Sequence, residues 1–231
     1  MSIKENLQRI QQQITQAEVA SNRAADSVLL VAVTKQQSTA SIITAFDNGI
    51  THFAENYYQE AEQKIQELQQ YPLCWHFIGP IQSNKTKGIA ANFDWVHSIN
   101  RTKIASLLND QRPQNSEPLN VCLQINLVPE ETKSGIDPSE AADLANFVSQ
   151  LSHLKLRGLM TIPPPQTDQQ KQYEIYLSLN KLMYSLNTKL QLDMDTLSMG
   201  MSDDFEPAIK AGATIIRLGR VLFGERQGKT T

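Results

Sequence analysis

Apolar residues fall along this chain in two alternating rhythms. Ile3, Leu7, Ile10 and Ile14 recur at three- and four-residue steps with polar residues between them, the spacing of an amphipathic helix lying on something larger. The rhythm then changes to a continuous β-branched and apolar run over residues 27–34, which reads as a strand buried on both faces. A helix over 39–47 follows, with Gly49 placed to terminate it, and then a short strand over 50–54. The alternation continues as helix 57–68, strand 74–78, helix 83–91, strand 95–99 and helix 102–108. A surface loop over 112–118, rich in Pro, Asn and Ser, leads into strand 119–127. Helix 139–151, strand 154–162, a loop carrying Pro163, Pro164 and Pro165, and a long helix within 168–186 come next. Strand 196–198, helix 204–211 and strand 214–218 complete the pattern.

Strands alternating with helices imply a parallel sheet with right-handed crossovers. Eight such units in about 200 residues point to an α/β fold, a single (β/α)8 TIM-type barrel with an extra N-terminal helix; an open doubly wound sheet is the alternative. Little sequence follows the last strand, so the N-terminal helix is expected to cover that part of the barrel. No repeat, low-complexity tract or composition break divides the chain, which predicts one domain over residues 1–226 and a frayed tail over 227–231.

Composition narrows the picture mainly by exclusion. The 231 residues are 40% hydrophobic and 19% charged, as in ordinary globular proteins. With 21 basic against 24 acidic side chains, a net charge of −3 and no long charge runs, the chain lacks the basic face that displaces counterions from phosphates, so nucleic acid is not an expected partner. The N-terminus is too polar for a signal peptide and no apolar run approaches the ~20 residues that span a bilayer; the expectation is a cytoplasmic protein with no membrane partner. Cys74 and Cys122 each sit in a strand-like apolar segment. Cys74-Trp75-His76 alone is a weak metal signal, and reduced core thiols are expected.

In a barrel, chemistry collects at the carboxyl ends of the strands. Lys35 directly follows Val31-Ala32-Val33-Thr34, where an amine near the mouth is placed to form an imine with a carbonyl compound. The seventh unit reads Ser198-Met199-Gly200-Met201-Ser202-Asp203: a glycine turn, two hydroxyls and Ser202 as the expected helix N-cap, an arrangement suited to a phosphate. The eighth adds Arg217-Leu218-Gly219-Arg220 where barrels often bind phosphate between the last two loops. Weaker polar segments are Glu55-Asn56, His76, Gln82-Ser83-Asn84-Lys85 and Thr132-Lys133-Ser134-Gly135.

Taken together, Val31-Ala32-Val33-Thr34-Lys35, Glu55-Asn56-Tyr57-Tyr58-Gln59-Glu60, His76-Phe77-Ile78-Gly79-Pro80-Ile81-Gln82-Ser83-Asn84-Lys85, Lys133-Ser134-Gly135 and Ser198-Met199-Gly200-Met201-Ser202-Asp203 resemble the pyridoxal phosphate homeostasis protein family. The resemblance runs in the family's order to Gly224, and the family's fold is similar to the barrel domain of alanine racemase. It implies that Lys35 holds pyridoxal 5′-phosphate (PLP) as a Schiff base, with the phosphate near Ser198, Ser202, Gly219 and Arg220 and with Asn56, His76 and Met199 also at the cofactor. Arg217 would face the pyridine nitrogen. A guanidinium only donates hydrogen bonds, which keeps that nitrogen unprotonated and the ring a weaker electron sink.

The implied role is a monomeric PLP carrier or regulator that stores and shields the cofactor and passes it by transient contact to apo-enzymes, with no established catalysis. The barrel uses up the chain, leaving Lys35 without an evident opposing base unless Tyr57 or Tyr58 serves. A single-domain PLP amino-acid racemase and a Schiff-base aldolase on a phosphorylated substrate are the alternatives. Lys133, a second amine expected near the mouth, is a candidate second PLP site. The chain departs from the family at two places: Ala54 stands where many members have glycine, and Arg220 where many have threonine.

Overall fold

The alternation resolves into eight parallel strands that close in chain order, each pairing with the next and the eighth returning to the first. The computed structural model describes residues 2–128 and 134–224. Its strands are β1 (Leu29–Val33), β2 (His52–Glu55), β3 (Cys74–Phe77), β4 (Trp95–Ile99), β5 (Leu119–Gln124), β6 (Leu154–Met160), β7 (Thr196–Ser198) and β8 (Ile215–Leu218). Helix α1 (Ile3–Ala20) precedes them. α2 (Thr39–Asp47), α3 (Tyr58–Glu67), α4 (Thr86–Asn92), α5 (Thr102–Gln111), α6 (Ala141–Ser149), α7 (Gln169–Leu190) and α8 (Phe205–Lys210) follow β1 to β7 in turn, and a single turn, α9 (Arg220–Phe223), follows β8. Lys133 and the expected tail over 227–231 lie outside the described residues.

Successive side chains on a strand point to opposite faces, which divides the core into two layers. Phe53, Phe77, Val96, Leu123, Leu197 and Ile216 pack outward against the helices. Val31, Ala54, Ile78, Cys122, Met160 and Ile215 pack inward with Trp95. Barrel interiors are usually filled by branched aliphatic residues. Here polar side chains, among them His76, His97, Ser198 and Arg217, are buried among the strands as well.

Helix α1 does cover the eighth unit, packing on α8 and α9 with Leu7, Ile10 and Ile14 buried. Ser2 and Glu5 form a reciprocal cap at its start. Along its length it is tied to the barrel by polar bonds: Asn6 Nδ2 donates to the Leu222 carbonyl at 2.9 Å, and Glu18 accepts from the Val28 N–H at 3.0 Å. Beyond its end, Arg23 donates to the carbonyls of Ile209 and Ala213. Gly49 ends α2 as expected, with φ +96° and its N–H on the Phe46 carbonyl at 2.8 Å. The predicted helix over 83–91 begins instead as one 3-10 turn, Ser83–Lys85, before α4.

Close strand approach makes one glycine indispensable. Register shifts between β5 and β6 at Val121/Cys122, and just across from that irregularity Gly158 lies so near β7 that a Cβ there would stand 1.8 Å from the Thr196 carbonyl oxygen. Backbone cannot yield as a flexible side chain does. Gly158→Ala is expected to destabilise the fold by about 1–3 kcal/mol or more, read as a lower urea midpoint at unchanged slope.

Candidate functional site

Lys35 sits just past β1, and its position is fixed by what surrounds the preceding residue. The Thr34 N–H donates to the Ala54 carbonyl at 2.9 Å, and the Thr34 hydroxyl donates to Glu55 Oε1 at 2.7 Å. Lys64, buried on α3, donates at 2.7 Å to the Thr34 carbonyl, Glu55 Oε1 and Glu60 Oε1 alike. Burial pushes the Glu55 carboxyl upward, with Lys64 partly offsetting it. Gln36 then turns the chain sharply at φ +62°, its N–H donating to Glu60 Oε1 at 2.5 Å. The half-buried Lys35 side chain is therefore launched from a clamped backbone, and its amine rests 5.4 Å from the centroid of the Tyr57 ring, a cation–π contact.

One strand to the other side of β1 lies the second half of the site. Arg217 on β8 is 2% exposed. Its Nη1 donates to Ser198 Oγ at 2.7 Å and its Nη2 to the Thr161 carbonyl at 3.0 Å. Ser198 Oγ also lies 2.7 Å from His97 Nδ1, His97 Nε2 lies 2.9 Å from His76 Nδ1, and His76 Nε2 lies 2.9 Å from His52 Nδ1. A hydrogen-bonded chain thus crosses the barrel interior from β8 to β2. Because the guanidinium only donates, Ser198 accepts from it and has its own proton to give to His97. With every ring neutral, each link of the chain then carries one proton.

The rings are held neutral. Burial, reinforced by the neighbouring imidazoles, takes His76 well below the usual histidine range. Burial and the Arg217 charge together lower His97 to about 3. His76 also stacks on Trp95 with the ring planes 11° apart.

The loops after β7 and β8 close the site. Gly200 has φ +94°, and a Cβ there would meet the Ala208 Cβ at 2.7 Å, so the turn demands glycine. Ser202 is not the helix N-cap that the sequence suggests: α8 starts three residues later, with Asp204 at its cap position. Asp204 is committed instead to bracing the loop, accepting from the Met201 N–H at 2.7 Å and from the Tyr176 hydroxyl at 2.8 Å. Ser202 Oγ is thereby left beside α9, 3.5 Å from the Val221 N–H. The Ser202, Gly219 and Arg220 N–H groups have no hydrogen-bond partner among the described residues. Gly219 lies against β1, where a Cβ would come 3.3 Å from the Val33 carbonyl oxygen.

Other expected residues fall differently. Met199 is buried in the outer layer between sheet and helices and its N–H is taken by the Ile215 carbonyl, so its side chain turns away from the barrel interior. Arg220 is exposed and pairs with Asp203 at the rim. Asn56 lines a small cleft with Pro80 and Lys85 and packs backbone to backbone on Gly79, where a Cβ would stand 1.9 Å from the Asn56 oxygen. Ala54 has no positive φ, so its backbone does not need glycine. Sequence reasoning missed His97, His52 and Thr161. The available signal for His97 was its place two residues after Trp95 within a strand-like run, which puts both on one face.

The barrel and its strand-end chemistry define a fold of the alanine racemase type, and the family model described as "Alanine racemase, N-terminal domain" matches residues 2–227. A pyridoxal phosphate homeostasis protein of Pseudomonas aeruginosa is 48% identical over 225 residues, 97% of this chain and 96% of that protein. The structure of PipY from Synechococcus elongatus with PLP bound superposes at TM-score 0.81 and 34% identity, covering 91% of this chain and all of that one. An unknown protein of Bifidobacterium adolescentis superposes at TM-score 0.87 and 30% identity, over 96% and 94% of the two chains. The chain belongs to the pyridoxal phosphate homeostasis protein family.

The neutral histidines set a pH dependence. His97 protonates near 3 in the fold against 6.5 when unperturbed. Between those values the unfolded chain binds a proton that the folded one refuses. Stability is therefore full above about pH 6.5 and lost as pH falls toward 3, at about 1.4 kcal/mol per pH unit for this ring. His76 is depressed in the same sense and steepens the loss. Urea denaturation between about pH 7.5 and 5 is expected to show falling midpoints; a flat profile would mean that the rings already share a charge.

Proposed function

We propose that this single-domain barrel binds PLP on Lys35 and keeps it in reserve, shielding its aldehyde and releasing it to PLP-dependent apo-enzymes, without catalysing a reaction of its own. The observation that carries this reading is the pairing of an amine and an anion site on neighbouring strand ends: Lys35 beyond β1, and beyond β7 and β8 the Ser202 hydroxyl with the N–H groups of Ser202, Gly219 and Arg220, which have no partner among the described residues, while the Ser198 hydroxyl is engaged by Arg217 and His97 inside the barrel. That donor set fits a phosphate monoester. PLP, when bound, supplies an aldehyde that condenses with a primary amine and a ring that withdraws electrons. Arg217 uses two of its guanidinium donors on Ser198 and Thr161 and has others left for a ring nitrogen, where a donor-only group keeps that nitrogen unprotonated.

The same residues argue against a racemase. A second base is needed across from Lys35, and the Tyr58 hydroxyl is occupied, donating to Glu62 at 2.7 Å and accepting from Asn92 at 3.1 Å. Burial and Glu62 push it up to about 12, which makes it a poor acid near neutrality. Tyr57 packs its ring against the Lys35 amine itself. No helix among the described residues is long and apolar enough to cross a membrane; a cytoplasmic location and a monomeric state are part of the proposal.

The test joins a spectrum to a map. Protein mixed with PLP should colour, borohydride should fix the adduct, and peptide mass mapping should place it on Lys35; Lys35→Ala should abolish it. Adducts scattered over surface lysines would overturn the assignment. Exchange of amino-acid α-hydrogens with solvent is expected at the rate of free PLP, and faster exchange would restore the racemase. Ser202→Ala removes one hydroxyl donor to a charged group and should weaken PLP retention roughly tenfold or more, with unchanged thermal stability.

A further inference from the structure

At the opposite end of the barrel from Lys35, three side chains with metal-ligating atoms converge. His52 opens β2 and Cys74 opens β3, and the two are direct partners in the strand register. His76 follows Cys74 on the same inward face. One ligand atom from each lies within 4.8 Å of the others. We propose that His52, Cys74 and His76 form a binding site for a thiophilic divalent cation of the Zn2+ class, independent of what Lys35 holds.

The dimensions suit the ion. Tetrahedral zinc, with Zn–N of about 2.0–2.1 Å and Zn–S of about 2.3 Å, sets two nitrogens about 3.4 Å apart and nitrogen about 3.6 Å from sulfur. Cys74 Sγ already lies 3.5 Å from His76 Nε2. His52 Nδ1 lies 2.9 Å from the same nitrogen, so its ring must back away by about half an ångström to reach the tetrahedral spacing, and it is only half-buried. It also lines a cleft of about 520 Å3 beside Leu29, Gly49 and Thr51, which offers an approach from solvent on the His52 side.

The surroundings are those of a supported ligand set. Metal-bound histidine usually donates its second ring N–H to a fixed acceptor. Ligation through Nε2 leaves His76 with its proton on Nδ1, 2.9 Å from His97 Nε2. Asp94 is held at the edge of the cluster by the Trp75 N–H at 2.8 Å; burial, with Asp94 beside it, pushes the Cys74 thiol up to about 12, so that its proton leaves only in exchange for the dication. Binding forms a metal–sulfur bond and releases the thiol proton to solvent, with no change of oxidation state. The dication, the thiolate and the Asp94 carboxylate then sum to neutrality, with both imidazoles uncharged.

Cobalt(II) is the probe, since zinc itself is spectroscopically silent. Titrated into the full-length, reduced protein with PLP present, Co2+ should give one equivalent of intense tetrahedral d–d bands together with a thiolate charge-transfer band, both displaced by one equivalent of Zn2+. Cys74→Ser should remove the charge-transfer band, and His52→Gln should weaken binding roughly tenfold or more. Both positions are half-exposed, so both variants are expected to fold. As a second readout, equimolar Zn2+ should raise the melting temperature of the native chain and of neither variant. Weak octahedral spectra without charge transfer, or tetrahedral bands that survive in both variants, would overturn the site.

Discussion

A guanidinium that cannot give up its proton is sealed inside this barrel, and the arrangement around it follows from the need to solvate it. Arg217 can only donate, and burial of an unpaired charge is costly. Within the interior its acceptors are the Ser198 hydroxyl and the Thr161 carbonyl. The Thr161 carbonyl is held in place because the Thr161 N–H reaches the Ser198 carbonyl and its hydroxyl reaches the Ile125 carbonyl. Ser198, having accepted from Arg217, shares its remaining hydrogen bond with His97, and the need for a neutral partner there propagates through His76 to His52. Ser198, His97 and His76 occupy space that aliphatic side chains ordinarily fill because one cation requires them.

The mouth is organised by backbone constraints of a different kind. Lys64 gathers Thr34, Glu55 and Glu60 around one ammonium, which joins the ends of β1 and β2 to α3 and fixes where the chain leaves β1. Gln36 in the left-handed region and Gly200 after β7 then aim their loops at angles ordinary residues seldom adopt. Gly79 allows β3 to lie backbone to backbone on Asn56. The Lys35 side chain, by contrast, is held among the described residues by nothing firmer than the Tyr57 ring.

How much of this the chain disclosed in advance depended on the range of the interaction. The barrel was legible because runs such as 27–34 and the helical spacing of α1 are local signals, and Lys35 was legible because it directly follows its strand. The histidine chain was not. It depends on the register of β2, β3, β4 and β7, which brings residues as far apart as His97 and Ser198 within 2.7 Å, and no local pattern encodes such a distance. Ser202 misled because a hydroxyl before a helical stretch is the usual N-cap, whereas Asp204, bound to Met201 and Tyr176, takes the cap position two residues later. Met199 misled because motif membership does not say which face of a strand end a side chain takes. The pairing of His52 with Cys74 was hidden for the same reason as the histidine chain, since it exists only once two strands are laid side by side.

The direction of that interior chain is set at one point, and this ties the two ends of the barrel together. While Ser198 gives its proton to His97 Nδ1, His97 donates from Nε2 to His76, and His76 donates from Nε2 to His52. If Ser198 turns its proton toward the mouth, its oxygen must instead accept from His97 Nδ1 as well as from Arg217. His97 Nε2 then becomes an acceptor, His76 must hold its proton on Nδ1, and its Nε2 is left with a lone pair facing His52 and Cys74. Both arrangements keep every imidazole neutral, as the depressed His76 and His97 require, and both place one proton on each link between Ser198 and His76. Nothing in the packing favours one over the other; what decides is which group at either end needs a proton and which needs a lone pair.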